Sequence, residues 1–207
     1  KGVAPRMKPA TDADLTLAVP EGVRACFVNG GQNCQSPTRM LVHQSQRDAA
    51  VSLACIAAEA FRVGDPMDIA TEMGPMVSAR QYGMIQELIA SGISQGATLV
   101  TGGLGAPVGF ECGYYVRPTV FADVTPDMRI AQEEIFGPVL SIMTYETEDQ
   151  AVEIANGTEF AYTPAPSIQN IDKRIPLDAI AKHLNLGMEP LLTEIEKIVD
   201  AGTKQQR

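Results

Sequence analysis

The sequence predicts an α/β fold in which short apolar strands are joined into a sheet by helical crossovers. Three observations carry this. Amphipathic stretches long enough for helices alternate with short apolar runs, and Gly- and Pro-bearing turns separate them. In addition, 45% of the 207 residues are apolar, enough to close a real core over one ordinary domain with a small appendage.

Residues 1–14, with Pro5, Pro9 and Asp12-Ala13-Asp14, read as irregular. Leu15 to Phe27 is apolar and alanine-bearing, and predicts a helix that delivers the chain to a polar loop. Thr38 to His43, with Met40, Leu41 and Val42, reads as a short buried strand. Gln44 to Asp48 opens a second helix reaching about Arg62. In it Val51, Ala54, Cys55 and Ala58 fall at i, i+3, i+4 and i+7, which puts Cys55 in the core. Gly64-Asp65-Pro66 is a stop and turn.

Ser78 is placed to cap a third helix, with Ile85, Leu88, Ile89 and Ile93 on one face and an end near Gly96. Ala97 to Thr101, Tyr115 to Phe121 and Val139 to Tyr145 follow as strands, then Thr147 to Ala155 as a helix. Thr163-Pro164-Ala165-Pro166 reads as a linker. Beyond it Leu177, Ile180, Ala181 and Leu184 form one apolar stripe, and Met188, Leu191, Leu192, Ile195, Ile198 and Val199 a stronger one. Joined at Asn185-Leu186-Gly187, they predict a C-terminal helical hairpin.

A formal net charge of -9 works against nonspecific binding to nucleic acid or anionic membrane. From Ser167 onward six Lys/Arg balance six Asp/Glu and no aromatic residue offers a stacking surface, so nucleic acid is not an expected partner of the tail. Its apolar stripe calls instead for burial against the body or a protein partner. No apolar run is long enough to span a membrane and no charged-then-apolar leader opens the chain, so a cytoplasmic setting is expected.

Cys26, Cys34, Cys55 and Cys112 have neither zinc-site spacing nor the density of a disulfide scaffold, and are read as reduced thiols. His43 and His183 are isolated, so no histidine metal cluster is expected. His43, near a strand end, reads as solvated rather than as the partner of a Cys-His pair.

Cys34 differs from the other three in its setting. It closes Phe27-Val28-Asn29-Gly30-Gly31-Gln32-Asn33-Cys34, where Gly30-Gly31 lets the backbone approach a bound group closely. A thiol there is exposed to chemistry, provided the loop favours the thiolate or supplies a base. The string Asn29-x-Gly31-Gln32-x-Cys34, followed by Thr38-Arg39, resembles the nucleophile signature of the NAD(P)-dependent aldehyde dehydrogenases. A second string, Gln132-Glu133-Glu134-Ile135-Phe136-Gly137-Pro138-Val139, matches that family's Glu-Glu-Ile-Phe-Gly-Pro motif without a mismatch, in the family's order and at a comparable separation. Similar residues also stand at Gly74-Pro75, Gln81, Gly102-Gly103, Gly113-Tyr114-Tyr115, Arg117-Pro118-Thr119 and Ala155-Asn156.

The resemblance runs from about Asp12 to Phe160 and implies a partial aldehyde-dehydrogenase-type catalytic domain over residues 1–161. A linker over 162–170 and a helical hairpin over 171–203 would follow. It further implies oxidation of an aldehyde to a carboxylic acid through a thiohemiacetal and a thioester on Cys34, whose backbone N–H helps hold the oxyanion. Glu134 would bind the nicotinamide ribose, Phe136 would pack on the nicotinamide ring, and Gln81 would lie near that ribose.

The family's general base, in a Glu-Leu-Gly-Gly-Lys string that its spacing puts just ahead of Lys1, does not occur in these 207 residues. Nor does the family's nucleotide-binding domain. The expectation is therefore a chain inactive by itself, holding NAD or NADP poorly. The segment Ile168 to Lys204 resembles the short helical module near the C-terminus of bacterial RecQ-type helicases, in Ile-Asp-Lys-Arg-Ile-Pro-Leu-Asp and Leu-Leu-Thr-Glu-Ile-Glu. The alternative is a noncatalytic interaction module with a helicase-like helical tail that contacts a protein or nucleic acid, a protein partner through the tail or exposed sheet edges being the one charge favours.

Overall fold

The computed structural model describes residues 14–158; the linker and the helical hairpin expected beyond Thr158 lie outside the described residues. Helix α1 (Leu15–Phe27) is capped by Asp14, whose carboxylate accepts the Thr16 N–H at 2.9 Å. It buries Val19, Gly22, Val23, Cys26 and Phe27, spaced as one helical stripe. Strand β1 (Arg39–His43) alternates half-buried and buried positions, and α2 (Arg47–Glu59) follows a short 3-10 turn at Gln44–Gln46.

Helix α3 (Ala79–Ser94) starts as expected at Ser78, whose side chain accepts the Gln81 N–H. Strands β2 (Thr98–Thr101) and β3 (Thr119–Ala122), the single turn α4 (Arg129–Gln132), strand β4 (Val139–Tyr145) and helix α5 (Glu148–Asn156) complete the order. α5 is capped by Thr147.

The four strands form one sheet in the order β1-β4-β3-β2. β4 is one of its two inner strands, parallel to β1 with Arg39 opposite Ser141, and parallel to β3 with Thr119 opposite Val139. β2 runs antiparallel to β3. Both faces are covered, which is why β4 reads as a continuous apolar run rather than an alternating one. Leu140 and Ile142 point into the layer built by α1 and α2, with Val23, Phe27, Ala50, Ala54 and Ala58. Val139 and Met143 point the other way, among Ile85, Leu88 and Ile89 of α3 and Ile154 of α5.

Three sequence expectations need correction. Cys55 is only partly buried, and its thiol donates to Glu59 Oε1 at 3.5 Å. The seam of α2 is Ala50, Ala54 and Ala58, because small side chains let this helix approach α1 and the sheet closely. Ile93 is exposed; the last buried turn of α3 uses Gly92, which packs closely against Phe121 and Ile130. Tyr115 to Pro118 is not strand: β3 begins at Thr119, directly after the proline that cannot donate to a ladder, and Arg117 instead donates to Ala106 O at 2.9 Å.

Arg47, the first residue of α2, ties the helix to the sheet. Its guanidinium donates to both carboxylate oxygens of Asp123, which also accepts from Thr98 Oγ1 at 2.8 Å. The Arg47 hydrogen bonds hold the Asp123 carboxyl below its ordinary pKa against the opposing effect of burial, and the Thr98 bond adds to them. A carboxylate with a depressed folded-state pKa stabilises fully above the unfolded value of about 3.9, and the contribution is lost as pH falls through the lower folded value. The stability difference between the wild type and Arg47→Met should therefore be largest above about pH 4 and shrink on acidification below it. Urea unfolding at a series of pH values checks this; a difference that stays constant with pH contradicts it.

A second expectation concerns Gly31, which has φ +69° and would place a Cβ 2.2 Å from Gly137 O. Gly31→Ala should cost about 2 to 4 kcal/mol and lower Tm by roughly 5 to 15 °C. An unchanged melting curve would show that the backbone contact does not exist.

Candidate active site around Cys34

At the end of α1 the chain passes through three consecutive left-handed residues, Asn29 (φ 56°), Gly30 (φ 65°) and Gly31 (φ 69°). Asparagine tolerates this conformation better than other side chains, which explains a residue type the motif demands. Gln32 then staples the loop. Its Nε2 donates to Asn29 O at 3.1 Å, its Oε1 accepts the Val77 N–H at 2.9 Å, and Asn29 Nδ2 donates back to Gln32 O at 3.2 Å. The glycine pair thus serves a contact inside the protein: Gly30 faces Met76, and Gly31 lies on the Gly137-Pro138 backbone. This corrects the expectation that the pair admits a bound group.

Cys34 follows in a tight turn from Asn33 to Ser36. The Ser36 N–H donates to Asn33 O at 3.0 Å, and the Gln35 N–H to Asn33 Oδ1 at 3.0 Å. Cys34 is exposed at this turn, whereas Cys26, eight residues earlier, is fully buried and donates to Val139 O at 3.6 Å. Burial pushes the Cys26 thiol far above its ordinary pKa, so it stays protonated and unreactive. Burial, together with Glu59, also raises the pKa of Cys55. Cys112 is exposed as well, in the connection between β2 and β3.

The second motif begins as α4 ends. Arg129 donates to both oxygens of Glu133, at 2.6 and 3.0 Å, and to Glu87 at 3.2 Å. These hydrogen bonds hold the Glu133 carboxyl below its usual pKa. Glu134 is exposed, and among the described residues its carboxylate has no hydrogen-bond partner. Ile135 plugs the core while Phe136, half-buried, takes a left-handed φ of 52°. Gln81 Nε2 holds this bend by donating to Ile135 O at 3.1 Å and Phe136 O at 2.9 Å.

These two segments meet. Cys34, Ser36, Arg39, Gln132, Glu133 and Glu134 line one small cleft of about 40 Å³. A larger concavity of about 400 Å³, bordered by Glu59, Phe61, Thr101, Phe110 and Arg117, holds none of Cys34, Gln81, Glu134 and Phe136. Of those residues, Cys34 and Glu134 share the cleft, Gln81 and Phe136 shape its neighbouring loop, and His43 belongs elsewhere. The His43 ring bonds Ser45 Oγ at 2.8 Å and Glu146 O at 3.2 Å, and stands edge-on to Tyr145.

Two residues that build the cleft, Arg39 and Gln132, stand inside the two quoted strings but carried no role in the sequence reading. Arg39 donates to Ile154 O and Ala155 O, both at 3.2 Å, and so caps the end of α5 with a cation. Burial lowers its pKa from the usual guanidinium value. Gln132 joins Pro126 O to Gly157 O. Arg39 had a signal, its place in the Thr-Arg pair; Gln132 had none beyond its nearness to the second motif. Among the described residues no cluster of three or more His, Cys, Asp or Glu could hold a metal ion, and no helix is long and apolar enough to cross a membrane.

Comparison with known proteins adds the family. The Aldehyde dehydrogenase family profile matches residues 10–176, and a RecQ-1-like, helix-turn-helix domain profile matches residues 167–205. A 3-succinoylsemialdehyde-pyridine dehydrogenase from a Pseudomonas species is 44% identical over 84% of this chain and 37% of its own length. The betaine aldehyde dehydrogenase of Brucella anthropi is 43% identical over 72% of this chain and 31% of its own. The chain thus spans about a third of the curated relatives it matches.

Among solved structures, an aldehyde dehydrogenase from Bartonella henselae superposes with a TM-score of 0.69 at 58% identity, covering 72% of this chain and 31% of that one. An aldehyde dehydrogenase C variant from Pseudomonas syringae, in complex with NAD+ and octanal, gives 0.71 at 48% identity over the same shares. With a family match across most of its length and the same fold as these enzymes, the chain belongs to the aldehyde dehydrogenase family.

Proposed function

We propose that this chain carries the nucleophile and the nicotinamide-ribose end of the cofactor site of an NAD(P)-dependent aldehyde dehydrogenase, with Cys34 as the nucleophile. The observation that carries the reading is the shared cleft: of two nearby thiols only Cys34 is exposed, and of two adjacent glutamates only Glu134 is unpaired among the described residues. The Cys34 thiolate attacks the carbonyl carbon of an aldehyde, a C–S bond forms, and the π pair moves to oxygen. The Cys34 N–H has no acceptor among the described residues and is free to hold that oxyanion.

The residues present fit one end of the dinucleotide. The free Glu134 carboxylate can accept both ribose hydroxyls, and the Phe136 ring offers a face for the nicotinamide. Gln81 serves this end by fixing the bend that carries both side chains. When bound, NAD(P) supplies the hydride acceptor for the family's oxidation. No Glu-Leu-Gly-Gly-Lys string lies within the 207 residues, so hydrolysis of a thioester on Cys34 has no identified base here.

The purified 207-residue chain should react with p-nitrophenyl acetate in a burst of about one p-nitrophenolate per chain, followed by slow turnover, and Cys34→Ala should abolish the burst. Aldehyde with NAD+ should yield no NADH. A burst that survives Cys34→Ala overturns the assignment of the nucleophile, and sustained NADH turnover overturns the reading that the chain is inactive by itself.

A further inference from the structure

We infer that Asn33 is a positioning residue for Cys34: it takes up the amides on the far side of the turn and so leaves the Cys34 N–H as the group that holds the oxyanion. The inference rests on Cys34 being the nucleophile. Asn33 occupies an unspecified place in the Asn29-x-Gly31-Gln32-x-Cys34 string, so the family match assigns it nothing. Its geometry does. The backbone carbonyl of Asn33 takes the Ser36 N–H, and its side-chain Oδ1 takes the Gln35 N–H, each at 3.0 Å.

Two of the three amides from Cys34 to Ser36 are thereby bonded inward, and the remaining one, on Cys34, has no acceptor among the described residues. The Asn33 side chain is what locks the turn, because a carboxamide oxygen one residue before the nucleophile closes on the second amide after itself. Without it the Gln35 N–H is unpaired, the turn relaxes, and the Cys34 N–H loses a fixed direction. Oxyanion stabilisation depends on that direction, whereas exposure of the thiol does not.

Two reagents separate these effects. With p-nitrophenyl acetate the Cys34 thiolate forms a C–S bond to the acyl carbon and the π pair goes to oxygen. The pair then returns and expels p-nitrophenolate, while the thiol proton has passed to solvent. With iodoacetamide the thiolate forms a C–S bond at a saturated carbon and iodide leaves, with no oxyanion.

On the full chain, with per-cysteine labelling read by mass spectrometry, Asn33→Ala should slow acylation of Cys34 about tenfold, while alkylation stays within about twofold. Asn33→Ser keeps a short acceptor and should restore acylation. Asn33→Asp keeps the turn but sets an anion beside the thiol, so the alkylation midpoint should move to higher pH. Buried Cys26 stays unlabelled in a folded chain; if Asn33→Ala exposes it, Asn33→Gln, whose side chain is too long to close the turn, carries the same comparison. Acylation at the wild-type rate in the turn-breaking variant, or acylation and alkylation falling together, overturns the role of Asn33. A wild-type chain whose Cys34 alkylates but never acylates overturns the nucleophile reading instead.

Discussion

The cleft depends on one backbone contact. Gly31 sits against the Gly137 carbonyl and Pro138, too close for any side chain at position 31. Gly137 is itself pressed onto Ile85 of α3, where an added Cβ would fall 2.6 Å from the isoleucine side chain. The contact welds the end of α1 to the start of β4, an inner strand. From that weld the chain leaves in one direction toward Cys34 and arrives from the other through Glu134. The weld fixes where both backbone segments start on their way to the cleft.

Around the weld, amide side chains do the work that regular secondary structure cannot do in loops. Gln32 satisfies Asn29 and Val77, Gln81 satisfies two successive carbonyls at a left-handed residue, and Gln132 joins two further carbonyls. Each satisfies a backbone group that would otherwise bond water. The same economy divides similar residues between roles. Cys26 and Glu133 are committed to packing and to an ion pair, and Cys34 and Glu134 are left available. In the proposed reading the available thiol is the nucleophile and the uncommitted carboxylate binds the cofactor ribose.

Much of this was legible in the sequence. The bounds of α1 and β4 matched expectation because one buries a single stripe and the other is buried on both faces, and both situations write themselves into the residue pattern. Cys55 and Ile93 were misplaced because the buried arc of a helix is set by how near its neighbours come. Ala50, Ala54 and Gly92 mark that nearness only once the neighbours are known. The glycine pair was read as room for a ligand, when its partner was a carbonyl more than a hundred residues away. Cys34, Glu134 and Phe136 are proposed from their motifs; Arg39 and Gln132 build the cleft through hydrogen bonds to the end of α5 and to Gly157, whose proximity no local pattern reports.

The Gly31–Gly137 contact brings the segments of Cys34 and Glu134 to one cleft. It is tested most directly by proximity crosslinking in a chain carrying Glu134→Cys with Cys55 and Cys112 replaced by serine. Dibromobimane, which fluoresces only when both its arms are captured by neighbouring thiols, should bridge Cys34 to the introduced thiol. The signal should fall when Gly31→Ala is added. A folded chain that gives no bridged product, or one whose bridging is indifferent to Gly31→Ala, would contradict the account.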